Sequence, residues 1–425
     1  MASLVTSKFR VHNAQQFAEA FSETSNTVMY LFIGKNTTFP NDNSPPTPVN
    51  STANIEYTPW RDMYAAKRIT TADVTHAVER YDWTSGTVYD QYDDQDTNLL
   101  EDDFYVMTED YNVYKCLFNA SATASTTKPT GVSTSPFTTA DGYIWKYMYT
   151  VTTAKALKFL TNDYIPVQTL IADDSTDQWD VQTAAVDGGI HVIKVTAGGS
   201  GYATAPAVTI TGDGTGATAN STITANVVTA VTITAAGTGY TRASVTFASG
   251  AAAATAIISP KGGHGSDAVE ELGGKFIMLN VRLDGTESNT FSTANEFRQV
   301  GIVRDPYLYG TTTRAVASSF RQSFKYQLSS ISGTFTVDET ITSGSNTASL
   351  IEFTTPSIFT TLPLNLPFAN TTTVTGGTSG ATGTIAAITT PGLQPYTGDL
   401  LYVENRVPIA RADDQIEDVK LVIQF

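Results

Sequence analysis

The sequence predicts a mainly β protein with α+β elements, in which a host domain is interrupted by two small Gly/Thr-rich all-β insertions. Charged residues make up only 16% of the 425 residues, whereas globular proteins contain about 25%. Thr, Ala, Gly and Ser are abundant instead, and this composition favours strands and turns over long surface helices. Two segments, 188–258 and 328–392, also alternate β-branched residues with Gly-rich turns.

The chain is expected to begin with a strand, a helix and a second strand within residues 1–35. Asn13 is a suitable N-cap for the helix, with Gln16 at the third helical position of a capping box. Apolar residues then recur at helical spacing, at Ala14, Phe17, Ala18 and Phe21. The second strand is predicted at 28–33, just before Gly34.

Residues 36–59 are predicted to form an extended loop, because five prolines lie there among Asn, Thr and Ser. From 60 to 167 the sequence is rich in aromatic and acidic residues, which fits a mixed α+β domain. Its strand-like stretches are 104–107, 113–118 and 143–151.

The segment 188–258 contains an internal repeat. The string Val-Thr-Ala-Gly-Gly-Ser-Gly-Tyr at 195–202 is echoed by Ile-Thr-Ala-Ala-Gly-Thr-Gly-Tyr at 233–240. Val-Thr-Ile at 208–210 is likewise echoed by Val-Thr-Phe at 245–247. Such self-similarity predicts two copies of a small antiparallel β-unit.

A looser repeat in the second segment relates residues 342–348 to residues 375–381. Aromatic and charged residues become frequent again after each Gly/Thr-rich segment, so the two segments are interpreted as insertions. The insertions comprise residues 188–260 and 328–395. The host comprises residues 1–187, 261–327 and 396–425.

The net charge is −16, with a pI near 4.6. An acidic surface repels phosphate, so nucleic acid and anionic lipid are not expected partners. No stretch is long and apolar enough to span a membrane, and no secretory signal is recognised. Cys116 is the one cysteine and lies in a strand-like apolar stretch, which predicts a buried, unreactive thiol and excludes an intrachain disulfide.

The most acidic stretch, 90–110, holds nine carboxylates and no basic residue. Asp94-x-Asp96-x-Asn98 begins like a calcium loop, but Leu99 stands where Gly is needed and Tyr105 where a bidentate Glu is needed. A solvated acidic face is the default interpretation, and a less regular calcium site stays open. A glycosidase would need two facing carboxylates about 5–9 Å apart. The candidates for such a pair are Glu101, Asp102, Asp103, Glu109 and Asp110.

The four histidines are scattered without metal-ligand spacing. His264 lies in a Gly-rich string at 261–267, which could bind an anion or a metal. A tight linker that returns the chain from the insertion to the host is favoured there. No nucleophile elbow or dinucleotide fingerprint is present, so neither a catalytic residue nor a cofactor or metal ligand is predicted.

Aromatic residues beside charges are the most prominent side chains, and rigid aromatics with polar tips suit protein interfaces. The alternative is that about half of them are ordinary core. The candidate interface residues are Trp60, Arg80, Trp83, Tyr89, Tyr92, Tyr143, Trp145, Tyr402 and Arg406.

Several host pieces occur in an order that resembles one family. They are residues 5–10, Trp60-x-x-Met63 with Lys67, Arg80-x-Asp82-Trp83, and residues 113–117, 141–147, 160–165, 297–303, 402–409, 414–417 and 421–425. In this order they resemble the gene product 8 family, the baseplate wedge subunits of T-even-like contractile-tail phages. The resemblance covers about residues 3–170, 276–305 and 396–425, and neither insertion has a counterpart in it.

The resemblance implies a β-sandwich-rich, non-enzymatic virion protein that is assembled in the host cytoplasm and forms a homodimer. Its expected partners are the other wedge subunits, the counterparts of gene products 6, 7 and 10. Its expected role is to hold the wedge together and to transmit the rearrangement that triggers sheath contraction. No catalytic residue or cofactor is carried over.

Two other functions stay open. The Gly/Thr-rich repeats and the aromatics would also suit a receptor- or glycan-binding tail adhesin. The acids of 90–110 would suit a hydrolase.

Overall fold

The computed structural model describes residues 3–23, 27–365 and 367–425. Parts of the predicted opening stretch (residues 1, 2 and 24–26), and Leu366 in the second insertion, lie outside these ranges. With 41% strand and 11% helix, the protein is mainly β, as predicted. The helices are α1 (Ser7–Glu19), α2 (Thr58–Asp62), α3 (Thr153–Phe159), α4 (Asp177–Thr183) and α5 (Ala268–Glu271).

The strands fall into three groups along the chain. The first group is β1 (Met29–Gly34), β2 (Met63–Arg68), β3 (Val74–Glu79), β4 (Tyr105–Met107), β5 (Asn112–Phe118), β6 (Phe137–Thr138), β7 (Ile144–Thr150) and β8 (Tyr164–Val167). The second is β9 (Ile190–Ala197), β10 (Val208–Gly212), β11 (Thr215–Thr224), β12 (Val227–Thr238), β13 (Ala243–Phe247) and β14 (Ala253–Ile258). The third is β15 (Phe276–Asp284), β16 (Phe297–Arg304), β17 (Ser319–Arg321), β18 (Phe324–Ser332), β19 (Thr340–Ser343), β20 (Asn346–Thr354), β21 (Ser357–Thr360), β22 (Thr373–Gly376), β23 (Thr382–Thr389), β24 (Asp399–Ile409) and β25 (Ile416–Gln424).

The predicted strands at 28–33, 104–107, 113–118 and 143–151 are confirmed as β1, β4, β5 and β7. The start of the chain was predicted wrongly, because α1 begins at Ser7, and Asn13 lies inside it. The Thr6 hydroxyl accepts a hydrogen bond from the backbone N–H of Phe9 at 3.3 Å, so Thr6 caps the helix instead of Asn13.

The predicted loop at 36–59 is also too long. Its last residues are helical, since a π-helical turn spans Ala53–Tyr57 and leads into α2. Pro59 lies in the first turn of α2, a position where proline does not interrupt helical hydrogen bonds.

The chain divides into two compact units, which differ from the single host domain predicted. The first unit comprises Met1–Gln16, Thr75–Met278 and Val422–Phe425, and the second comprises Phe17–Val74 and Leu279–Leu421. The host pieces are therefore shared between two units, and each unit contains one of the insertions.

The first unit contains a four-stranded antiparallel sheet in the order β4-β5-β7-β6. Both faces of this sheet are buried. Tyr114 and Trp145 belong to one hydrophobic core, while Val113 and Tyr149 belong to another. Because side chains alternate between the faces of a strand, a strand buried on both faces is almost continuously apolar, as 113–118 is.

The first insertion is one β-unit built jointly by both copies of its repeat, not two separate units. The first copy supplies β9, β10 and β11, and the second supplies β12, β13 and β14. Each strand pairs with a strand of the other copy, in the pairs β9–β14, β10–β13 and β11–β12. Thr209 pairs with Thr246, its own repeat equivalent, so an approximate twofold axis passes through this pair.

The second unit contains a five-stranded antiparallel sheet in the order β17-β2-β1-β16-β24. Its central strand β1 is buried along its whole length. Within β1, Leu31 pairs with Ile302 of β16 on one side and Lys67 of β2 on the other. The strand β24 forms one edge of this sheet.

The second insertion is a closed six-stranded barrel in the order β18-β21-β20-β19-β22-β23. Its repeat copies, β18–β20 and β21–β23, exchange strands in the same manner, in the pairs β18–β23, β19–β22 and β20–β21. Large side chains such as Phe324, Tyr326 and Phe368 fill its interior. The two insertions thus share these three pairings, and the second adds the ladders β18–β21, β19–β20 and β22–β23.

Candidate functional site

Five of the nine predicted interface residues are core residues, so their assignment to an interface is corrected. They are Trp60, Tyr89, Tyr92, Tyr143 and Trp145. Trp145 stacks on Tyr143 at 5.4 Å between ring centroids, and the Tyr143 hydroxyl donates to the carbonyl of Thr123 at 2.6 Å. The Tyr143 hydroxyl thus finds its hydrogen-bond partner inside the protein, as buried tyrosines usually do.

The other four predicted interface residues are only half-buried. In the first unit, Arg80 donates to both carboxylate oxygens of Asp82, at 2.9 and 3.1 Å, and the Trp83 indole N–H donates to Ser125. In the second unit, Tyr402 and Arg406 both lie on the edge strand β24. Of the nine predicted interface residues, only these four are accessible enough to contact another protein.

The first unit contains a buried charge cluster around Lys115 of β5. The Lys115 ammonium donates to Glu271 Oε2 of α5 at 2.9 Å, and the two side chains are 0% and 2% exposed. The ammonium also lies 4.0 Å from the centroid of the Tyr92 ring. Burial lowers the pKa of Lys115, while the carboxylate of Glu271 opposes this by favouring the charged form.

The Gly-rich string at 261–267 closes over this pair. The other carboxylate oxygen of Glu271 accepts hydrogen bonds from the backbone N–H groups of Gly265 and Asp267, at 2.7 and 3.2 Å. His264 is buried against Tyr92, at 4.9 Å between ring centroids. Its Nδ1 has no hydrogen-bond partner and lies 4.0 Å from Glu271 Oε2. The favoured interpretation of this string, a tight linker, fits these contacts.

Lys146 and His191 complete the cluster. Burial lowers the pKa of Lys146 to about 8; the carboxylate of Glu271 opposes this shift and the ammonium of Lys115 adds to it. Burial and then the charge of Lys146 lower the pKa of His191 to about 4, and burial lowers that of His264 well below its usual value. Both histidines are therefore neutral at pH 7, which leaves two ammonium groups and one carboxylate.

The cluster lies where the first insertion joins its unit, since His191 is on β9 and His264 is on the return linker. Removing a charge from it would leave the others unbalanced in a low-dielectric interior. The contacts of the cluster therefore hold the first and last segments of the insertion against the rest of the first unit. Lys115, alone among apolar residues in its strand, was the sequence signal for a buried cation, but nothing local identified Glu271 as its partner.

A cleft of about 1060 Å³ opens beside this cluster within the first unit. Residues 191–195 of β9 and 229–236 of β12 form one wall. The opposite wall includes Phe118 and the carboxylates Asp90, Asp93 and Asp96.

The five carboxylates considered for glycoside hydrolysis do not line this cleft. Glu101 binds Lys275 at 2.7 Å, and Glu109 and Asp110 both bind Lys128. Asp103 accepts a hydrogen bond from the backbone N–H of Asp90, and burial raises the pKa of Asp103 to about 6.

Among the described residues, no group of three or more His, Cys, Asp or Glu side chains is placed to hold a metal ion. Cys116 is fully buried, and burial raises the pKa of its thiol well above the usual value, as expected for an unreactive cysteine. Within the same part of the chain, no helix has the length and apolar character needed to cross a membrane.

Comparison of the chain with protein-family models gives no match. Comparison with curated proteins gives none either.

Proposed function

We propose that this protein is a structural subunit of the baseplate wedge of a contractile phage tail. In this role it is a homodimer that joins neighbouring wedge proteins and transmits the rearrangement that triggers sheath contraction. It acts in the virion, without a cofactor, after assembly in the host cytoplasm. The proposal rests on the resemblance of the host pieces to the gene product 8 family.

The observation that best supports the proposal is that host pieces far apart in sequence are neighbours in space. In the first unit, residues 113–117 and 141–147 meet as β5 and β7, where Cys116 pairs with Trp145. Arg80 donates to the carbonyl of Thr161 at 2.7 Å, which joins two further pieces.

The second unit repeats this pattern. Residues 297–303 and 402–409 meet as β16 and β24, where Gly301 pairs with Val403. No residue larger than glycine fits at position 301 without a shift of its neighbours. A Cβ atom on Gly301 would lie 2.4 Å from the Phe32 ring and 2.4 Å from the carbonyl oxygen of Tyr402. The motifs behind the resemblance therefore form a structural framework, as a wedge subunit requires.

The edge strand β24 is the part of this framework best suited to a partner. Tyr402 donates to Glu404 at 2.6 Å, and Arg406 donates to the same carboxylate, so both side chains are held in place and half-exposed. An edge strand also presents unpaired backbone groups. We place the dimer or wedge contact there.

The test has two measurements. The purified protein is analysed by size-exclusion chromatography with light scattering, and it is co-expressed with the other tail proteins of the same phage genome, followed by affinity capture. A dimer that retains other wedge proteins is expected. The double variant Tyr402→Ala/Arg406→Ala should lose one of these contacts. Ser319→Ala, on the opposite edge strand β17 of the same sheet, should keep both.

A monomer that captures no tail protein would overturn the proposal. A normal dimer and normal capture by the Tyr402→Ala/Arg406→Ala variant would instead move the contact away from β24 and leave the proposed role in place.

A further inference from the structure

A proline-rich segment of the second unit, residues 43–51, forms an exposed arm. Its sequence, Asn-Ser-Pro-Pro-Thr-Pro-Val-Asn-Ser, contains three prolines and no charged residue. The arm belongs to no helix or strand, and residues 43–50 are all exposed except the half-buried Pro45. Val49 is 61% exposed. The arm therefore presents its apolar side chains to solvent instead of to the core.

The sequence of the arm restricts its backbone to one extended conformation. Each proline fixes its own φ near −65°. Ser44, Pro45 and Thr47 each precede a proline, and a residue in that position is excluded from the helical region. Residues 44–48 are thus confined to the polyproline II conformation. Such segments lose little entropy on binding, and they dock on exposed aromatic side chains.

Two hydrogen bonds attach the arm to the sheet of the second unit. The buried guanidinium of Arg298 on β16 donates to Asp42, just before the arm, at 2.9 Å. The side-chain amide of Asn405 on β24 donates to the carbonyl of Pro46 at 2.8 Å. The arm is therefore held in place before any partner binds, which lowers the entropic cost of binding.

The same unit exposes a pair of aromatic rings, Tyr57 and Tyr396. The two side chains are 50% and 52% exposed, and their ring centroids lie 5.4 Å apart in an edge-to-face arrangement. In the described part of the chain, no other contacting ring pair exposes both rings to this extent. Tyr396 also has a left-handed backbone, with φ of 63°. Strained residues of this kind cluster at sites that hold ligands.

The arm and the tyrosine pair both lie along β24. The arm is attached at Asn405, in the second half of the strand. Tyr396 lies three residues before the first residue of β24, and the π-helical turn that ends at Tyr57 packs against the same strand. One strand therefore carries a proline-rich ligand towards one end and an aromatic acceptor at the other.

This placement matches a second copy of the chain. A twofold axis that crosses β24 between residues 396 and 405 reverses the direction of the strand, so the arm of each copy comes opposite the tyrosine pair of the other. Each copy has a net charge of −16, so two copies repel each other. A contact made by an uncharged arm and two neutral rings adds nothing to this repulsion.

We propose that the arm of one copy docks on the Tyr57–Tyr396 pair of a second copy, and that the contact is made twice in a symmetric dimer. The prolines of the arm pack on the tyrosine rings, and the tyrosine hydroxyls donate to the carbonyl groups of the arm. This inference rests on the proposed homodimer and specifies the contact that forms it.

The first experiment measures the contact with a fluorescein-labelled peptide of residues 43–51 with blocked ends. The peptide is titrated with the full chain carrying Pro45→Ala, Pro46→Ala and Pro48→Ala, in which the tyrosine pairs are free. Alanine keeps the carbonyl that Asn405 binds, so the arm stays attached. Fluorescence anisotropy should show saturable binding. The same peptide with its three prolines replaced by alanine should bind at least roughly tenfold more weakly.

A second set of variants locates the acceptor. Adding Tyr57→Ser and Tyr396→Asn to the triple-alanine chain should weaken the peptide at least about tenfold. Asparagine tolerates the left-handed backbone of position 396. The matched control is Tyr111→Asn in the first unit, because Tyr111 also has a left-handed backbone, with φ of 61°, and is 41% exposed. This control should leave peptide binding unchanged.

Light scattering over a dilution series measures the same contact in the dimer. The triple-alanine chain should have a dimer dissociation constant at least roughly tenfold above that of the unaltered chain. Equal binding of the alanine peptide, or equal binding by the Tyr57→Ser/Tyr396→Asn variant, would overturn the proposed contact. A monomeric unaltered chain would overturn the homodimer itself. A dimer that the triple-alanine change leaves intact would overturn the arm contact alone, so the two failures are distinguishable.

Discussion

Replacing Lys115 with methionine tests whether the buried charge cluster stabilises the first unit through ion pairing. Methionine keeps most of the length and apolar stem of lysine but has no ammonium group. In the variant, the Glu271 carboxylate keeps the hydrogen bonds from the backbone N–H groups of Gly265 and Asp267. It loses the 2.9 Å contact with Lys115.

Removing one partner of a buried ion pair costs about 3–5 kcal/mol, because the remaining charge loses its hydrogen-bonded counter-ion. The upper part of this range is expected here, since the two side chains are 0% and 2% exposed and water cannot replace the lost ammonium.

Urea-induced unfolding followed by tryptophan fluorescence measures this loss. Three of the four tryptophans (Trp83, Trp145 and Trp179) lie in the first unit, so the signal reports mainly on that unit. With a urea m-value of about 3 kcal/mol/M, the unfolding midpoint should fall by about 1 to 2 M.

The double variant Lys115→Met/Glu271→Gln separates pairing from packing. Glutamine keeps an oxygen that can accept the two backbone N–H groups, and no carboxylate is left without its ammonium; the Lys146 ammonium still donates to the carbonyl of Thr134. The double variant should therefore be more stable than the sum of the single losses predicts, with a coupling energy of up to about 3 kcal/mol. Losses that add to within about 0.5 kcal/mol would refute the ion-pair explanation.

Three further outcomes are expected. Between about pH 7 and pH 5 the first unit should lose stability, because the unfolded chain protonates its histidines near 6.5 while the pKa of folded His191 is about 4 and that of His264 is also lowered. The loss from His191 alone approaches about 3 kcal/mol by pH 4, and a urea midpoint unchanged at pH 5 would contradict it. Gly301→Ala should destabilise the second unit by about 1–3 kcal/mol through overlap with the Phe32 ring; thermal unfolding that matches the Ser319→Ala control would show that the sheet absorbs the methyl group. The Cys116 thiol should react with Ellman's reagent only after unfolding, and rapid labelling of the native protein would disprove its burial.

The strands of the sheets were predictable because their signal is local. Residues 28–33 and 113–118 are almost continuously apolar, as strands buried on both faces are, and both were located correctly. The start of α1 was missed because Thr6 and Asn13 are both suitable N-caps, and propensity alone does not choose between them.

The interface residues were harder to predict, because tyrosine and tryptophan suit a core as well as a contact surface. Tyr143 and Trp145 are buried and stacked on each other within the first unit, and nothing in the local sequence distinguishes them from exposed anchors. The pairing of Glu271 with Lys115 could not be predicted either, because the two residues are 156 positions apart in the sequence. Pairings over such distances depend on the topology of the whole unit.

The repeats show how a local signal can be correct and its interpretation incomplete. Both sequence repeats are real, but the copies exchange strands instead of folding separately, because a lone three-stranded copy would leave one apolar face uncovered. Exchange buries that face against the other copy. In the second insertion the exchanged copies close around Phe324, Tyr326 and Phe368.

The first insertion has the same three pairings between copies, but it lacks the ladders that close the barrel, and its interior is built mainly from Ala, Val and Ile. Its two tyrosines, Tyr202 and Tyr240, lie at the turns, where their hydroxyls accept hydrogen bonds from the N–H groups of Ala252 and Ala217. Less apolar area is thus available to hold β9 and β12 together, since the hydrophobic gain scales with the area buried. Accordingly, β9 and β12 are joined by backbone hydrogen bonds near their ends, such as that from Val228 to Gly198, whereas β18 and β21 form a continuous ladder.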